Sequence, residues 1–224
     1  CALPIYADTI DRTIDSLILS HDISAQILPC DSGEEVVALY LPSTYRAESE
    51  VARRLREMID AMPDSMASDL TAQIDELERI EGLAFHTQQR QAIETAVTHG
   101  MTVITGGPGT GKTTIIKCII KLLSVHGDVA LAAPTGRAAK RMSEACGMEA
   151  KTLHRLLEYG GEEGDFARSE DNPLEIDTLI IDEMSMVDIF LMRSLLRALV
   201  PGPRLTLVGA PDRLPGVGAG NVLR

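Results

Sequence analysis

The sequence has no tryptophan, few other aromatic residues and few cysteines. Only 3% of its 224 residues are aromatic, so no platform for stacking the bases of a single-stranded nucleic acid is evident. The four cysteines are far apart in the sequence, at Cys1, Cys30, Cys118 and Cys146. They therefore form neither the Cys-x-x-Cys pair of a zinc site nor the dense spacing of a disulfide framework. No apolar run approaches the roughly 18 residues of a membrane span, and no signal-peptide core follows a charged N-terminus. We therefore expect a soluble, cytoplasmic protein without membrane partners.

The negative charge is concentrated in the first part of the chain. A formal net charge of −12 argues at first against a nucleic-acid partner. Residues 1–84, however, hold 6 Lys and Arg against 17 Asp and Glu, whereas residues 85–224 hold 15 against 16. Within the second part, the basic stripe from Arg137 to Arg155 has five basic residues and two acidic ones. A local surface for a polyanion is therefore available.

Two domains are predicted, with the boundary after Gly82. Residues 1–82 read as a small acidic α+β domain of helix, two strands and helix, followed by a short acidic helix. This order is typical of a winged-helix-like module or of a generic α+β adaptor. From residue 83 to 224, helices alternate with short apolar strands. That alternation predicts an α/β fold, with a parallel sheet flanked by helices.

The segment Gly106-Gly-Pro-Gly-Thr-Gly-Lys-Thr-Thr114 has the form of a P-loop. It follows an apolar strand and precedes an apolar helix, which is the context that this motif requires. Glycines let the backbone wrap phosphates, Lys112 bridges the β and γ phosphates, and Thr113 coordinates Mg²⁺. The pattern predicts an ATP site formed by Gly107, Pro108, Gly109, Thr110, Gly111, Lys112, Thr113 and Thr114.

Two further groups of residues complete this predicted site. Asp182 and Glu183 end an apolar strand, and this places them at the carboxyl edge of the sheet, where ligands of open α/β folds bind. We expect Asp182 to hold Mg²⁺ and Glu183 to orient and deprotonate the attacking water. Gln89 could read the adenine edge through its amide, with Gln88 as a one-residue alternative.

The order of motifs resembles the RecD-like helicases of superfamily 1B, in their stand-alone branch rather than the nuclease-complex (exodeoxyribonuclease V alpha) subunit. The resemblance covers residues 85–224 and is carried by five segments: Gln89-Arg-Gln-Ala92; the P-loop; Ala133-Pro-Thr-Gly-Arg-Ala-Ala-Lys140 with Thr152-Leu-His-Arg-Leu-Leu157; Asp182-Glu-Met-Ser-Met-Val-Asp188; and Leu207-Val-Gly-Ala-Pro-Asp-Arg-Leu-Pro215 leading into Gly218-Ala-Gly-Asn-Val-Leu223.

This resemblance implies an ATP-dependent 5′-to-3′ DNA helicase of repair and recombination. The second domain would be the first RecA-like motor domain, with ATP and Mg²⁺ as cofactors and single-stranded DNA and a duplex junction as partners. The implied DNA contacts are Pro134, Thr135, Gly136, Arg137, Thr152, His154 and Asn221. For His154, packing among leucines is an equal alternative. A hairpin insertion over residues 158–174 would split the duplex with Tyr159 and Phe166, or else be a mobile acidic loop. The N-terminal domain would bind a single-strand-binding or repair protein.

The sequence departs from this family at two positions. Where relatives have Gly-Asp-x-x-Gln-Leu-Pro, Ala210 replaces the acid and Arg213 the glutamine. Arg213 could still reach an ATP phosphate, but a guanidinium cannot accept a hydrogen bond from the attacking water. The alternative function is therefore a nucleotide-dependent DNA-binding or switch module with a degenerate motor.

The chain opens on Cys1 and stops at Arg224, directly after a motif. We expect it to be a piece of a longer protein, with the second motor domain absent. Such a piece would bind ATP and Mg²⁺, hydrolyse ATP slowly and not unwind DNA alone.

Overall fold

The computed structural model describes residues 5–30, 33–61, 69–160, 165–200, 202–210, 218–220 and 222. The chain divides into two compact units, Cys1–Glu50 and Val51–Arg224. None of the described helices combines the length and the apolar composition that a membrane span requires.

The first unit has the predicted order of helix, hairpin and helix. Helix α1 (Ile5–Leu19) precedes the antiparallel strands β1 (Ser24–Pro29) and β2 (Glu35–Tyr40), and helix α2 (Pro42–Ala61) begins in this unit. In the hairpin Ile27 lies opposite Val37. This arrangement confirms a small α+β module, and the comparison with a winged helix stays a prediction.

The second unit alternates helices with strands. Its elements are α3 (Leu70–Glu81), α4 (Thr87–Thr98), β3 (Met101–Thr105), α5 (Lys112–Leu123), β4 (Val129–Ala133), α6 (Gly136–Cys146), β5 (Ala150–Thr152), α7 (Leu153–Leu156), β6 (Thr178–Ile181), a 3₁₀ turn (Met184–Met186), α8 (Ile189–Ala198) and β7 (Arg204–Gly209).

Five parallel strands form the sheet of this unit, in the order β3-β7-β6-β4-β5. Strand β7 therefore separates the P-loop strand β3 from β6, the strand that ends before Asp182. All five strands run the same way, so their carboxyl ends meet at one edge. The predicted parallel sheet flanked by helices is confirmed.

Helix α3 belongs to the second unit, although the sequence boundary was predicted after it. Gly82 ends the helix with a φ of 64°, as predicted. Leu70 and Ile74 are nevertheless buried in the same apolar core as Ile93 of α4 and Ile119 of α5. Because α3 contributes to this core, the structural division falls at Glu50 rather than at Gly82.

Two elements that carry site residues, β6 and α5, are packed into the apolar core. The run Leu179–Ile181 in β6 is completely buried, as expected for an inner strand covered on both faces. Helix α5 buries Ile115, Ile116 and Ile119 among other residues. Each such side chain stabilises the fold by about 1.5 to 3 kcal/mol. The helix that follows the P-loop and the strand that precedes Asp182 are therefore both firmly packed.

Candidate active site

Glycines shape the loop that joins β3 to α5. Gly109 and Gly111 have φ values of 76° and 83°, in the left-handed region where glycine alone carries no steric penalty. The loop ends where Lys112 begins α5. The unpaired N–H groups and the positive end of that helix therefore lie at the loop, which is the arrangement that binds phosphate.

The Lys112 side chain folds back over this loop. Its Nζ donates hydrogen bonds of 2.6 Å to the carbonyl oxygens of Gly106 and Gly107. The ammonium group thus lies within the curve of the loop rather than out in solvent. A cation at this point is placed to meet an anion that the loop N–H groups bind.

Gln89 lies against the P-loop, as the ATP-site prediction requires. Its Oε1 accepts a hydrogen bond from the His86 N–H at 3.0 Å, and its Nε2 donates to the Thr110 carbonyl at 2.9 Å. Gln89 therefore connects the start of α4 to the loop. An amide has two N–H donors and two acceptor lone pairs, so one of each remains for a base. That contact stays a prediction.

Asp182 and Glu183 follow β6 directly, at the carboxyl edge of the sheet. The Asp182 N–H donates to the Ala132 carbonyl of β4 at 3.0 Å, and Asp182 Oδ1 accepts from the Glu183 N–H at 2.8 Å. Burial raises the pKa of Asp182 above its ordinary value, while the Glu183 N–H and the charges of Lys112 and Arg141 act to lower it. Asp182 is therefore a desolvated carboxylate beside two cations.

Glu183 adopts an unusual backbone conformation. Its φ is 59°, in the left-handed region that costs a non-glycine residue about 1 to 2 kcal/mol. Such strain is concentrated at functional sites, where it fixes the direction of a side chain. His21 and Glu158 share this conformation, so the catalytic role of Glu183 stays a prediction.

These groups line one cavity. Its volume is about 350 Å³, and its lining consists of Pro108, Gly109, Thr110, Gly111, Lys112, Thr113, Arg141, Asp182, Glu183, Gly209 and Ala210. The structure thus brings the P-loop together with both predicted acids. Buried Ala210 forms part of the wall at the end of β7, where it presents a methyl group.

Arg141 is a charged residue of this cavity that the sequence did not predict. The sequence placed it in the basic stripe and gave it no role. It lies on α6, and it also lines a smaller cavity of about 90 Å³ that includes Thr113, Asp182 and Glu183. Its position at i+4 from Arg137 could have indicated a shared helix face, but nothing in the sequence indicated that this face meets the P-loop.

The lining fits a magnesium nucleotide. Mg²⁺ prefers oxygen ligands and is usually held by one or two protein groups together with phosphate oxygens. The Thr113 hydroxyl and the Asp182 carboxylate are oxygen donors that line the same two cavities. Glycines leave room for phosphate where side chains would fill the loop. We find no conflict between these residues and the predicted cofactor.

The predicted DNA contacts lie at the ends of two paired strands. Ala133, the last residue of β4, pairs with Thr152, the last residue of β5. Thr135 caps α6 by accepting from the Ala138 N–H at 3.2 Å, and Thr152 caps α7 by accepting from the Arg155 N–H at 3.1 Å. Pro134, Thr135, Gly136, Arg137, Thr152 and His154 are therefore brought to one edge, with Arg137 and His154 exposed.

Two described parts of the predicted hairpin, residues 158–160 and 165–174, contact each other, and the hairpin itself stays a prediction. Tyr159 pairs with Phe166 in an antiparallel bridge, and the Ala167 N–H donates to the Glu158 carbonyl at 3.3 Å. The His154 ring centroid lies 5.5 Å from that of Tyr159 and 5.8 Å from that of Phe166, and the last two are 5.1 Å apart. His154 thus packs with aromatic rings, an arrangement that the low aromatic content did not predict.

The residues that follow this bridge are attached to α8. Glu170 accepts hydrogen bonds from Arg54 and, at 3.2 Å, from Arg197 Nε, and these guanidinium groups keep the pKa of Glu170 below its ordinary value. The Leu174 N–H donates to the Ala198 carbonyl at 2.8 Å. The described residues after 164 therefore have defined contacts with α2 and α8, and the choice between a hairpin and a mobile loop stays open.

Two predicted site residues, Arg213 and Asn221, lie outside the described residues. Part of the C-terminal motif is described. The Ala219 carbonyl accepts from the Ile189 N–H at 3.0 Å, and a Cβ on Gly218 would lie 2.4 Å from Asp188. The glycine-rich segment therefore lies against the start of α8.

Known proteins resemble this chain over most of its length. It is 40% identical over 183 residues to the "ATP-dependent RecD2 DNA helicase" of Deinococcus radiodurans, covering 81% of this chain and 25% of that protein. It is 37% identical over 210 residues to the "RecBCD enzyme subunit RecD" of Mycolicibacterium smegmatis, covering 83% of this chain and 36% of that protein. The chain thus spans about a third or less of these curated relatives.

Among solved structures, the chain is similar to the Pif1 helicase from Candida albicans, with a TM-score of 0.46 and 27% identity over 60% of this chain and 34% of that one. The sequence matches confirm the resemblance to RecD-like helicases. The family model described as "AAA domain" matches residues 89–219. Since this match covers more than half of the sequence and includes all residues that line the cavity, the chain belongs to the AAA domain family.

Proposed function

We propose that this chain is the first motor domain, with an N-terminal adaptor, of an ATP-dependent DNA helicase. One observation carries the proposal: the P-loop, Lys112, Thr113, Asp182 and Glu183 line a single cavity at the carboxyl edge of a parallel sheet. Ligands of such sheets bind at this edge. The similarity to RecD-type helicases supports the choice of helicase among P-loop enzymes.

The residues divide the chemistry among themselves. The loop N–H groups and Lys112 hold the β and γ phosphates of ATP, and Thr113 and Asp182 hold Mg²⁺. When bound, Mg²⁺ neutralises charge on those phosphates. Glu183 orients the attacking water and accepts its proton. Gln89 contacts the base, and Arg213, outside the described residues, contacts phosphate.

The track for single-stranded DNA runs over the edge formed by Pro134–Arg137, Thr152 and His154, with Asn221 as a further contact. Thr135 and Thr152 already accept capping hydrogen bonds, and their hydroxyls can still donate to phosphate oxygens. Arg137 adds a positive charge. Contacts of this kind bind the backbone of DNA independently of its sequence, which a translocating enzyme needs.

The hairpin over 158–174 is proposed to meet the duplex junction. Exposed Tyr159 stands on a base anchored through Glu170, and an aromatic ring on a fixed support can separate stacked bases. We further propose 5′-to-3′ movement, a role in DNA repair in the cytoplasm and a protein partner for residues 1–82, all from the resemblance.

Nucleotide binding is tested by titrating a fluorescent ATP analogue with Mg²⁺. We expect Lys112→Ala to weaken binding about 100-fold or more, since hydrogen bonds to charged groups contribute about 1.5 to 3 kcal/mol each. Lys117→Ala is the matched control, because it removes the same charge from the exposed face of α5. Equal affinities for the two variants would contradict the proposed ATP site.

The direction of movement is tested with the full-length protein on duplexes that carry a 5′ or a 3′ single-stranded tail. We expect unwinding of the 5′-tailed duplex in the presence of ATP. Preference for the 3′ tail would refute the proposed polarity.

A second candidate is a nucleotide-dependent switch, favoured by Ala210. This residue places a methyl group in the cavity wall, at the position where relatives carry an acid. ATP turnover measured with and without single-stranded DNA separates the two functions. Stimulation supports the motor, and turnover that DNA leaves unchanged supports the switch.

A further inference from the structure

Arg141 lies in the candidate ATP site without a described hydrogen-bond partner. Six other arginines of this unit form ion pairs with carboxylates: Arg53, Arg54, Arg79, Arg90, Arg168 and Arg197. Across the described ranges, by contrast, no ion pair or hydrogen bond engages the guanidinium of Arg141. Its side chain instead helps line both cavities next to Asp182 and Glu183.

The charges of the larger cavity show what Arg141 contributes. Its charged residues are Lys112, Arg141, Asp182 and Glu183. With Arg141 the formal charges cancel, whereas without it two carboxylates would face a single ammonium group. Such a lining would repel the anion that the P-loop attracts. A guanidinium is always charged at neutral pH and can bind phosphate with two parallel hydrogen bonds.

The position of Arg141 also indicates which phosphate it meets. Arg141 shares both cavities with Thr113 and Asp182, which would hold Mg²⁺, and it shares the larger one with Lys112, proposed to hold the β and γ phosphates. Gln89, proposed to contact the base, bonds to the loop at Thr110 and lines neither cavity. Arg141 is therefore at the end of the site where a triphosphate differs from a diphosphate.

We propose that Arg141 binds the terminal phosphate of the nucleotide and so makes the site select ATP over ADP. This inference rests on the proposed ATP site and adds a residue from α6 to it. An arginine from the same domain would supply positive charge where negative charge develops during phosphoryl transfer.

The test compares fluorescent ATP and ADP analogues, the first non-hydrolysable, titrated with Mg²⁺ into the wild type, Arg141→Ala and Arg141→Lys. We expect Arg141→Ala to weaken ATP-analogue binding about 10- to 100-fold and ADP binding no more than about threefold. Arg141→Lys should be intermediate, because a lysine keeps the charge and loses the paired hydrogen bonds. Lys140→Ala is the matched control, since it removes a charge from the next position of α6, outside both cavities.

The outcomes are distinct. Unchanged ATP-analogue binding in Arg141→Ala overturns the inference, and so does an equal loss for both nucleotides, which would indicate a general effect on the site. A wild type that binds neither nucleotide refutes the proposed ATP site itself. Circular dichroism checks the fold of each variant, and Arg141 is exposed, so truncation should leave the core intact.

Discussion

Substituting Gly111 by alanine tests how the P-loop is built. Gly111 has a φ of 83°, and an added Cβ would lie 2.5 Å from Gln89 Nε2. The methyl group therefore has two effects. It strains the backbone, and it pushes away the amide that donates to the Thr110 carbonyl at 2.9 Å.

The two costs can be estimated separately. A left-handed conformation costs alanine about 1 to 2 kcal/mol, and the lost Gln89–Thr110 hydrogen bond costs about 1 kcal/mol. We expect Gly111→Ala to lower the free energy of unfolding by about 2 to 3 kcal/mol. In a protein of this size that corresponds to a fall in Tm of about 4 to 12 °C.

Urea unfolding of four variants checks this reasoning. Gly109→Ala is the matched control, because Gly109 has a φ of 76° but open space around its Cβ position, so it should show the backbone cost alone. In Gln89→Ala/Gly111→Ala the clash is gone. The double variant should therefore be about 1 kcal/mol more stable than the sum of the two single changes predicts. Additive effects, or equal losses in Gly109→Ala and Gly111→Ala, would refute the proposed contact.

Three further outcomes follow from the charges and burial. Burial raises the pKa of Asp182 above its ordinary 3.8, so its contribution to stability is complete below that pH and is lost as the pH rises through its folded pKa. In metal-free buffer Asp182→Asn should therefore gain stability over the wild type between pH 4 and neutrality, and urea curves that keep the same difference at every pH would contradict this. Burial raises the pKa of the Cys118 thiol to about 11. At pH 8 iodoacetamide should therefore modify exposed Cys30 far faster than Cys118, as measured by mass spectrometry. The two rates should become equal only in denaturant, and equal rates in the folded protein would contradict the burial of Cys118. Glu170→Ala should accelerate hydrogen exchange in the hairpin only modestly, because exposed ion pairs contribute little. Asp171→Ala, at an exposed position, should leave the exchange unchanged. Equal exchange rates in the two variants would show that Glu170 does not anchor the hairpin.

The sequence predicts most of the second unit because its strands are continuous apolar runs. Leu179–Ile181 is such a run, and the structure places it in β6 as expected. Strand β5 was missed, since Ala150-Lys151-Thr152 has no apolar run and becomes a strand by pairing with β4. The domain boundary was misplaced for a related reason: the periodicity of α3 does not reveal which core its apolar face joins.

The sequence likewise predicts some residues of the candidate site and misses others. Contiguous motifs identify Lys112, Asp182 and Glu183, because their chemistry depends on neighbours in the sequence. Arg141 and the grouping of His154 with Tyr159 and Phe166 depend on how α6 and the hairpin fold back, which the sequence pattern leaves open. The strained φ of Glu183 likewise arises from the turn between β6 and the following 3₁₀ helix.

Helix α6 joins the two ends of the proposed motor. Its cap, Thr135, lies at the edge proposed for DNA, and Arg141 follows six residues later, about 9 Å along the axis. A short helix of this kind moves as a rigid rod, so its tilt is shared by both ends. If both proposed contacts hold, DNA would change the affinity for nucleotide by the same factor by which nucleotide changes the affinity for DNA. Helix α6 would therefore link nucleotide binding to DNA binding without the residues that follow β7, where Ala210 and Arg213 depart from the family.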